Sequence, residues 1–410
     1  MDSESLIGII DLDSENIKCV IFKNYSDGTS EVLSSSLIRS QGIKNSKIIN
    51  LSKASDSIRR CINETEKKGK VSLKKINVVL EQPDFLCTKL SKSRKIGGAK
   101  IQNEDIEFLL KEAKKQIILN DSTQSIIHIF NHNYVVDGKK FSEEPINIYA
   151  DFLTHELTFV TLPLNNLKNI NQAFLDCDLE VDRLMSSTFS LGSKLLNNNQ
   201  LETGSILIEF GFEKVSIGIF KKLALVNSST FSVGANHITK DISKVCSLSL
   251  EESEVIRNSI NFSLVDNSQV FDKNDYLKEI FFKTSSYRKV SKSLILKIIE
   301  SRLNEILEII QKKLTEMGVD LNSKNDICIA GKYSNLLNIE KYWSNFFKVD
   351  IKKLDNESRE AKSHLFDSFE ACVGAFKIIK DGWETEAIAY SNISHNKKTG
   401  FFAKLFGNYL

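Results

Sequence analysis

Ile10-Asp11-Leu12-Asp13-Ser14-Glu15-Asn16-Ile17-Lys18-Cys19-Val20-Ile21-Phe22 aligns without a gap on Ile208-Glu209-Phe210-Gly211-Phe212-Glu213-Lys214-Val215-Ser216-Ile217-Gly218-Ile219-Phe220. In both copies an apolar run ends in a carboxylate, Asp11 or Glu209, a tight turn follows, and a second apolar run returns. Apolar runs that bracket a few turn-forming residues predict a β-hairpin. One supersecondary unit opening each half of the chain predicts two related α/β lobes, each a sheet covered by helices. Two apolar hairpins also match by chance, so the repeat needs support from the rest of the chain.

Working outward, strands are expected at Ile76 to Leu80, Ile126 to Ile129 and Leu157 to Thr161. Between them Asn103 is a candidate N-cap, with Glu104 and Asp105 in the first turn of a helix reaching about Ile117. These elements make a small α+β insertion. The longest helix is expected from Leu294 to Met317, with Ile295, Ile299, Leu303, Ile306, Ile310 and Leu314 on one stripe and Gly318 ending it. The expected organisation is a first lobe at residues 1–80 and 164–190, the insertion at 81–163, and a second lobe at 191–380 with a subdomain at 235–320. A polar tether at 381–399 and a terminal helix at 400–410 follow.

A chain of 410 residues with 41% apolar and 26% charged content holds enough hydrophobic material for two cores. Its 55 basic and 53 acidic residues leave a formal charge of +2, too weak a field to recruit nucleic acid. Seven scattered cysteines, none spaced Cys-x-x-Cys, point to a reducing cytoplasm rather than a disulfide framework or a zinc site. The acidic start Met1-Asp2-Ser3-Glu4-Ser5 has no signal-peptide character. No run approaches the roughly 18 apolar residues of a spanning helix, so membrane contact is expected to be peripheral.

Such contact is expected at the end of the chain. At about 100° per residue, Phe401, Phe402, Leu405, Phe406, Tyr409 and Leu410 fill one semicircle, and Ala403, Lys404, Gly407 and Asn408 the other. Each large apolar side chain fully buried contributes roughly 1.5 to 3 kcal/mol, and each lysine near an anionic leaflet up to about 1 kcal/mol. The segment is shorter than the roughly 12 to 15 residues at which an isolated helix becomes marginal in water, so one copy binds weakly. Firm attachment then requires many linked copies, which predicts polymerisation. The alternative is a terminal helix that docks on the protein's own core.

No catalytic constellation competes with this reading. His128 and His132 have metal-like spacing, but they lie in an apolar strand and its following turn without a neighbouring Glu motif, which favours packing and turn roles. A Gly-x-Ser-x-Gly elbow, a P-loop and a dinucleotide fingerprint are all absent from the sequence.

Several segments, in order, resemble the FtsA family. The Asp11 hairpin is similar to the family's Asp-Ile-Gly-Thr/Ser-Ser-Lys opening, and His128 to Gly138 to its His-x-Ile-Pro-x-x-Tyr-x-Leu-Asp-Gly segment. Phe231-Ser232-Val233-Gly234-Ala235-Asn236-His237-Ile238-Thr239-Lys240-Asp241-Ile242 is similar to Ile-Pro-Val-Gly-Gly-x-His-Ile-Thr-x-Asp-Ile, the most specific match. Ser291 to Leu307 resembles the helix on which the family receives the FtsZ C-terminal tail.

The resemblance implies an actin-like two-lobed α/β fold of duplicated ribonuclease-H-like domains, with the family's inserted subdomain at 81–163 and its FtsZ-binding subdomain at 235–320. It implies a non-enzymatic division protein at the cytoplasmic face of the inner membrane, which anchors the FtsZ ring, forms filaments with itself and recruits later division proteins. Arg302 and Glu305 are the positions carried over for the FtsZ tail. Read without the resemblance, they form an i, i+3 surface pair contributing a few tenths of a kcal/mol. Phe401, Phe402, Lys404, Leu405, Phe406, Tyr409 and Leu410 would be the membrane foot.

In actin-like folds the two hairpin turns hold the phosphates and metal of ATP, which maps ATP with Mg²⁺ onto Asp11, Ser14, Glu209, Gly211 and Gly331. Phosphate loops need glycines, because backbone N–H groups must reach the oxygens without an intervening side chain. Here Asp13 stands where a glycine is expected, and Phe212 and Glu213 add bulk and negative charge to the second turn. The residues leave a working pocket and a structural relic both open. An actin-like ATPase and a PilM-type pilus-assembly adaptor are the alternative functions.

Overall fold

The computed structural model describes residues 5–25, 27–264, 266–321, 326–354 and 368–381. The expected tether beyond Asp381 and the terminal residues Phe401 to Leu410 lie outside the described residues. The described chain divides into two compact units. One gathers residues up to Gly204, Gly218–Ser229 and the helix Glu370–Asp381, and the other gathers Ser205–Ile217 and Thr230 to Leu354.

The first sheet grows from the quoted hairpin. Ser5–Leu12, Asn16–Asn24 and Ser30–Arg39 form an antiparallel meander, and Lys75–Leu80 and Glu180–Ser186 extend it in parallel on the far side of Ser5–Leu12. Ile9, Ile10 and Leu12 are fully buried, as the continuous apolar run of a strand covered on both faces requires. The helix Leu51–Gly69 turns Ala54, Ile58, Cys61 and Ile62 toward the core, and Asn50 caps it by accepting from the Lys53 N–H. The helices Ser187–Leu195 and Glu370–Asp381 meet where Gly374 lies so close to Ser190 that a Cβ would come within 1.9 Å of its carbonyl oxygen. Phe376 of the same helix stacks on Phe22 at 4.0 Å.

A second five-stranded sheet runs Ala224–Phe231, Val215–Lys221, Ser205–Phe210, Asp326–Ala330, Ile351–Lys353. Asp326–Ala330 pairs in parallel with both of its neighbours. Counted along the chain, the strands of both sheets lie in the order third, second, first, fourth, fifth. The repeat in the sequence is therefore the opening hairpin of a duplicated topology, and the chain has the duplicated actin-like fold. In the second unit the helix Lys292–Glu316 starts two residues before its expected position because Ser291 caps it. The six stripe residues Ile295, Ile299, Leu303, Ile306, Ile310 and Leu314 are all buried, and Gly318 follows with φ +76°.

The insertion is an antiparallel sheet in the order Leu86–Lys100, Tyr149–Pro163, Gln124–Val136, Lys139–Phe141. The helix Asn103–Asn120 packs Ile106, Leu109, Leu110 and Ala113 into one core with Tyr134, Leu153, Leu157 and Phe159. Two expectations are corrected here. The cap is Gln102 rather than Asn103, since the Asp105 carboxylate accepts from the Gln102 N–H at 2.9 Å. The strands run well past Ile126 to Ile129 and Leu157 to Thr161, because polar residues alternate along them where one sheet face is open.

Candidate functional site

The first hairpin turn is satisfied from within. Asp11 and Lys18 are register partners, and the Lys18 ammonium donates to the Asp11 carboxylate at 3.0 Å. Burial alone would discharge Lys18, but the attraction of Asp11 and Asp13 outweighs it and raises the lysine's pKa. The Ser14 hydroxyl accepts from the Asn45 N–H at 2.7 Å. Asn45 and Ser46, at φ 49° and 55°, are the left-handed tip of the short ribbon Ile43–Lys44 and Lys47–Ile48, and that tip delivers the donor.

The second turn closes on the helix behind it. The Gly211 N–H donates to the Lys214 carbonyl at 3.0 Å, while the Gly211 and Phe212 carbonyls accept from Ala235 N–H at 3.0 Å and Asn236 N–H at 2.8 Å. Those donors are the first of the helix Ala235–Cys246, and such orphan N–H groups normally make a helix start an anion site. Gly234 permits the approach, since a Cβ there would lie 2.6 Å from both carbonyl oxygens. Glu213 accepts from the Asn236 amide at 2.6 Å and the Lys240 ammonium at 2.9 Å. Burial opposes its charge, yet these bonds prevail and hold its pKa below the usual carboxylate range.

In the loop that follows the strand Asp326–Ala330, Glu209 is in register with Ala330, and Gly331 takes φ +92° with Phe210 O only 3.1 Å from where a Cβ would stand. Tyr333 stacks on Phe212 with centroids 6.0 Å apart, and the fully buried Arg257 guanidinium lies 4.9 Å from the Tyr333 ring. Arg257 also donates to Ala235 O at 3.2 Å and Thr239 Oγ1 at 2.5 Å, tying the loop's aromatic pair to the same helix start.

In each turn, groups that a magnesium-bound triphosphate would use are already engaged within the chain. Asp11 already holds a lysine, the helix-start N–H groups are spent on carbonyls, and an anion approaching the second turn would meet the Glu213 carboxylate. Among the described residues, no group of three or more His, Cys, Asp and Glu could hold a metal ion. His128 is buried in packing, its Nε2 accepting from the Ser186 N–H at 2.9 Å, and the His132 side chain lies outside the described residues.

The other candidate pair is part of a three-residue network. Arg302 reaches Asp241 through two nitrogens, Nε to Oδ2 at 2.5 Å and Nη2 to Oδ1 at 3.1 Å, and Glu305 through Nη1 at 2.6 Å. The hydrogen bond to Asp241 raises the arginine's pKa further, so the charge is permanent. Arg302 and Asp241 are partly covered, whereas the Glu305 side chain is 51% exposed. A planar guanidinium fixed on one side by a bidentate carboxylate is shaped to take a second carboxylate on the other, and Glu305 occupies that position. Asp241 was missed as a member of this site, although it stands in the Phe231 to Ile242 segment; only the fold brings two helices together across 61 positions. Asn45, Asn236, Lys240 and Tyr333, which close the turns, were missed for the same reason, whereas Lys18 was missed although it stands only seven positions from Asp11 in the same hairpin.

The family model of cell division protein FtsA matches residues 206–366, and that of the SHS2 domain inserted in FtsA matches residues 86–161, together more than half of the chain. The cell division protein FtsA of Agrobacterium fabrum is 21% identical over 341 residues, covering 81% of this chain and 76% of that protein. Those of Buchnera aphidicola subsp. Schizaphis graminum and Bacillus subtilis are each 23% identical, over 85% and 78% of this chain and 84% and 72% of theirs. Among solved structures, the PilM-PilN type IV pilus biogenesis complex superposes with a TM-score of 0.60 over 90% of this chain and 96% of that one, at 10% identity, a likeness of fold alone.

Proposed function

From the premise that this chain belongs to the FtsA family of cell division proteins, we propose that it is a non-enzymatic adaptor that holds the FtsZ ring to the membrane. The observation that carries the reading is the Arg302 network: a permanently charged guanidinium, braced by Asp241, with the exposed Glu305 as a replaceable partner. An acidic group of the FtsZ C-terminal tail displaces Glu305 and pairs with Arg302. Replacing an existing ion pair rather than capturing a free cation makes the contact modest in strength and selective in geometry. The self-satisfied turns support an adaptor that needs no ATP turnover.

Arg302→Glu should weaken binding of an FtsZ tail peptide at least about tenfold, because it sets three carboxylates together where the peptide must add a fourth. Arg302→Lys, which keeps the charge but loses the fork, should give an intermediate affinity. Fluorescence anisotropy with a labelled peptide measures this, and equal affinities for all three proteins would remove the site from the proposal.

Attachment is assigned to the segment from Phe401 to Leu410, through which the protein sits on the cytoplasmic face of the inner membrane at the division site. Linked copies in a filament multiply its weak lipid contact, and the filament recruits later division proteins. No helix among the described residues is long and apolar enough to cross a membrane. The full chain should pellet with anionic liposomes, and a chain ending at Thr399 should stay in the supernatant. Equal pelleting of the two would end the anchoring proposal.

A further inference from the structure

We infer that the free edge of the inserted sheet, the strand Leu86–Lys100, is a docking site for an acidic, extended segment of a partner protein, which adds to it as another strand. Leu86–Lys100 is the outer strand of its sheet, next to Tyr149–Pro163. It is 15 residues long, contains no proline, and its ladder is uninterrupted from Leu86 to Lys95. Natural sheets shorten, bend or cover such edges, because a row of unpaired N–H and C=O groups is a template for another chain. Here the edge is largely exposed and regular over the ten residues Leu86 to Lys95, longer than the usual five or six of a strand, before the register shifts at Gly97 and Gly98 (φ +69° and +79°).

Its charge determines what it accepts. The strand carries Lys89, Lys92, Arg94, Lys95 and Lys100 and no acidic residue. Arg94 is committed to the subdomain's own helix, 3.3 Å from Asp105 and 4.5 Å from the Phe108 ring. Among the described residues, Lys89, Lys92 and Lys95 have no ion pair. Register with Tyr149–Pro163 places Lys89, Ser91, Ser93 and Lys95 opposite Thr158, Glu156, Thr154 and Phe152. The Ser93 and Thr154 hydroxyls lie 2.7 Å apart, which sets this series on one sheet face. Along that face two short serines lie between two lysines. An incoming strand therefore has room at its centre and a cation for a carboxylate toward either end. A second copy of the same strand is disfavoured, since antiparallel self-pairing about Lys92 would set Lys89 against Lys95 and Lys92 against its own copy. Backbone bonding supplies the attachment and the lysines select an acidic sequence, the general logic of strand addition.

The test uses the full chain and a synthetic peptide of about ten residues, alternating Glu and Val, with its Lys and Val counterpart. The acidic peptide should bind, lose at least about tenfold in affinity between about 50 and 300 mM salt, and slow amide exchange of Lys89 to Lys95. The basic peptide should not bind. In Lys89→Glu/Lys95→Glu, with its melting temperature checked against the parent, the preferences should reverse, so that the basic peptide binds and the acidic one does not. Absence of acidic-peptide binding overturns the proposal, as does binding without amide protection. Equal capture by phosphatidylglycerol vesicles that the charge reversal abolishes would make the edge a lipid-adsorbing surface, and dimerisation abolished by that reversal would make it a self-contact. Either result also overturns the proposal.

Discussion

Glu252→Ala is expected to destabilise the second unit by about 3 kcal/mol or more, because it removes several charge-assisted hydrogen bonds made by one buried carboxylate. Glu252 is only 2% exposed, yet its carboxylate accepts from the N–H groups of Lys283 and Thr284 at 2.7 Å and of Ser285 at 2.9 Å. The Ser285 hydroxyl adds a bond at 2.6 Å and the Ser249 N–H one at 2.8 Å. A single side chain thus caps the helix Leu250–Ser259 and pins the loop that leads toward the helix Lys292–Glu316, on which Arg302 stands. Burial works against the charge, but the Ser285, Thr284 and Ser249 bonds outweigh it and hold the pKa well below that of an ordinary glutamate. With the folded pKa depressed, the stabilisation is complete above about pH 4.5, the unfolded value, and is lost as the pH falls below it. Glu252→Gln keeps the shape and should show both a lower denaturant midpoint at neutral pH and a flatter acid dependence. A midpoint equal to that of the parent at pH 7 would refute the clamp.

The features legible in the sequence were those whose cause is local. The gapless repeat around Asp11 and Glu209 became two sheets with one strand order, because each hairpin is set by a tight turn between apolar runs. The stripe from Ile295 to Leu314 became the buried face of a helix, because a period near 3.6 has one structural meaning. The candidate site was legible only in its members and not in its contacts. Arg302 and Glu305 could be named from their segment, but the bidentate Asp241 comes from another helix. Glu213 read as a charge opposed to phosphate, and its partners Asn236 and Lys240 became visible only once the turn folded against Gly234. In the insertion two strands run longer than expected and the edge strand Leu86–Lys100 was not expected at all, for a related reason: alternating polar residues such as Lys89, Ser91 and Ser93 look like loop until a neighbour supplies the ladder.

His155→Phe should stabilise the protein, and more so in acid. His155 sits in register between Lys92 and Tyr134, 1% exposed, with its ring stacked 4.4 Å from that of Tyr134. Among the described residues neither ring nitrogen has a hydrogen-bond partner, and burial pushes the pKa down to about 3 from 6.5. Above pH 6.5 both the folded and unfolded states hold a neutral imidazole. As the pH falls from 6.5 toward 3 the unfolded chain takes up a proton that the folded chain refuses, so stability declines across that window. At about 1.4 kcal/mol per pH unit, the deficit at pH 5 is about 2 kcal/mol, and phenylalanine removes it while keeping the stacked ring. His128 provides the contrast, since its pKa is also depressed by burial, to about 4, but its Nε2 accepts from the Ser186 N–H. His128→Phe orphans that donor and should cost about 1 to 3 kcal/mol at neutral pH. Denaturant unfolding of the three proteins at about pH 7.5 and pH 5 separates the two histidines. The unpartnered reading of His155 fails if its phenylalanine variant is less stable than the parent at both.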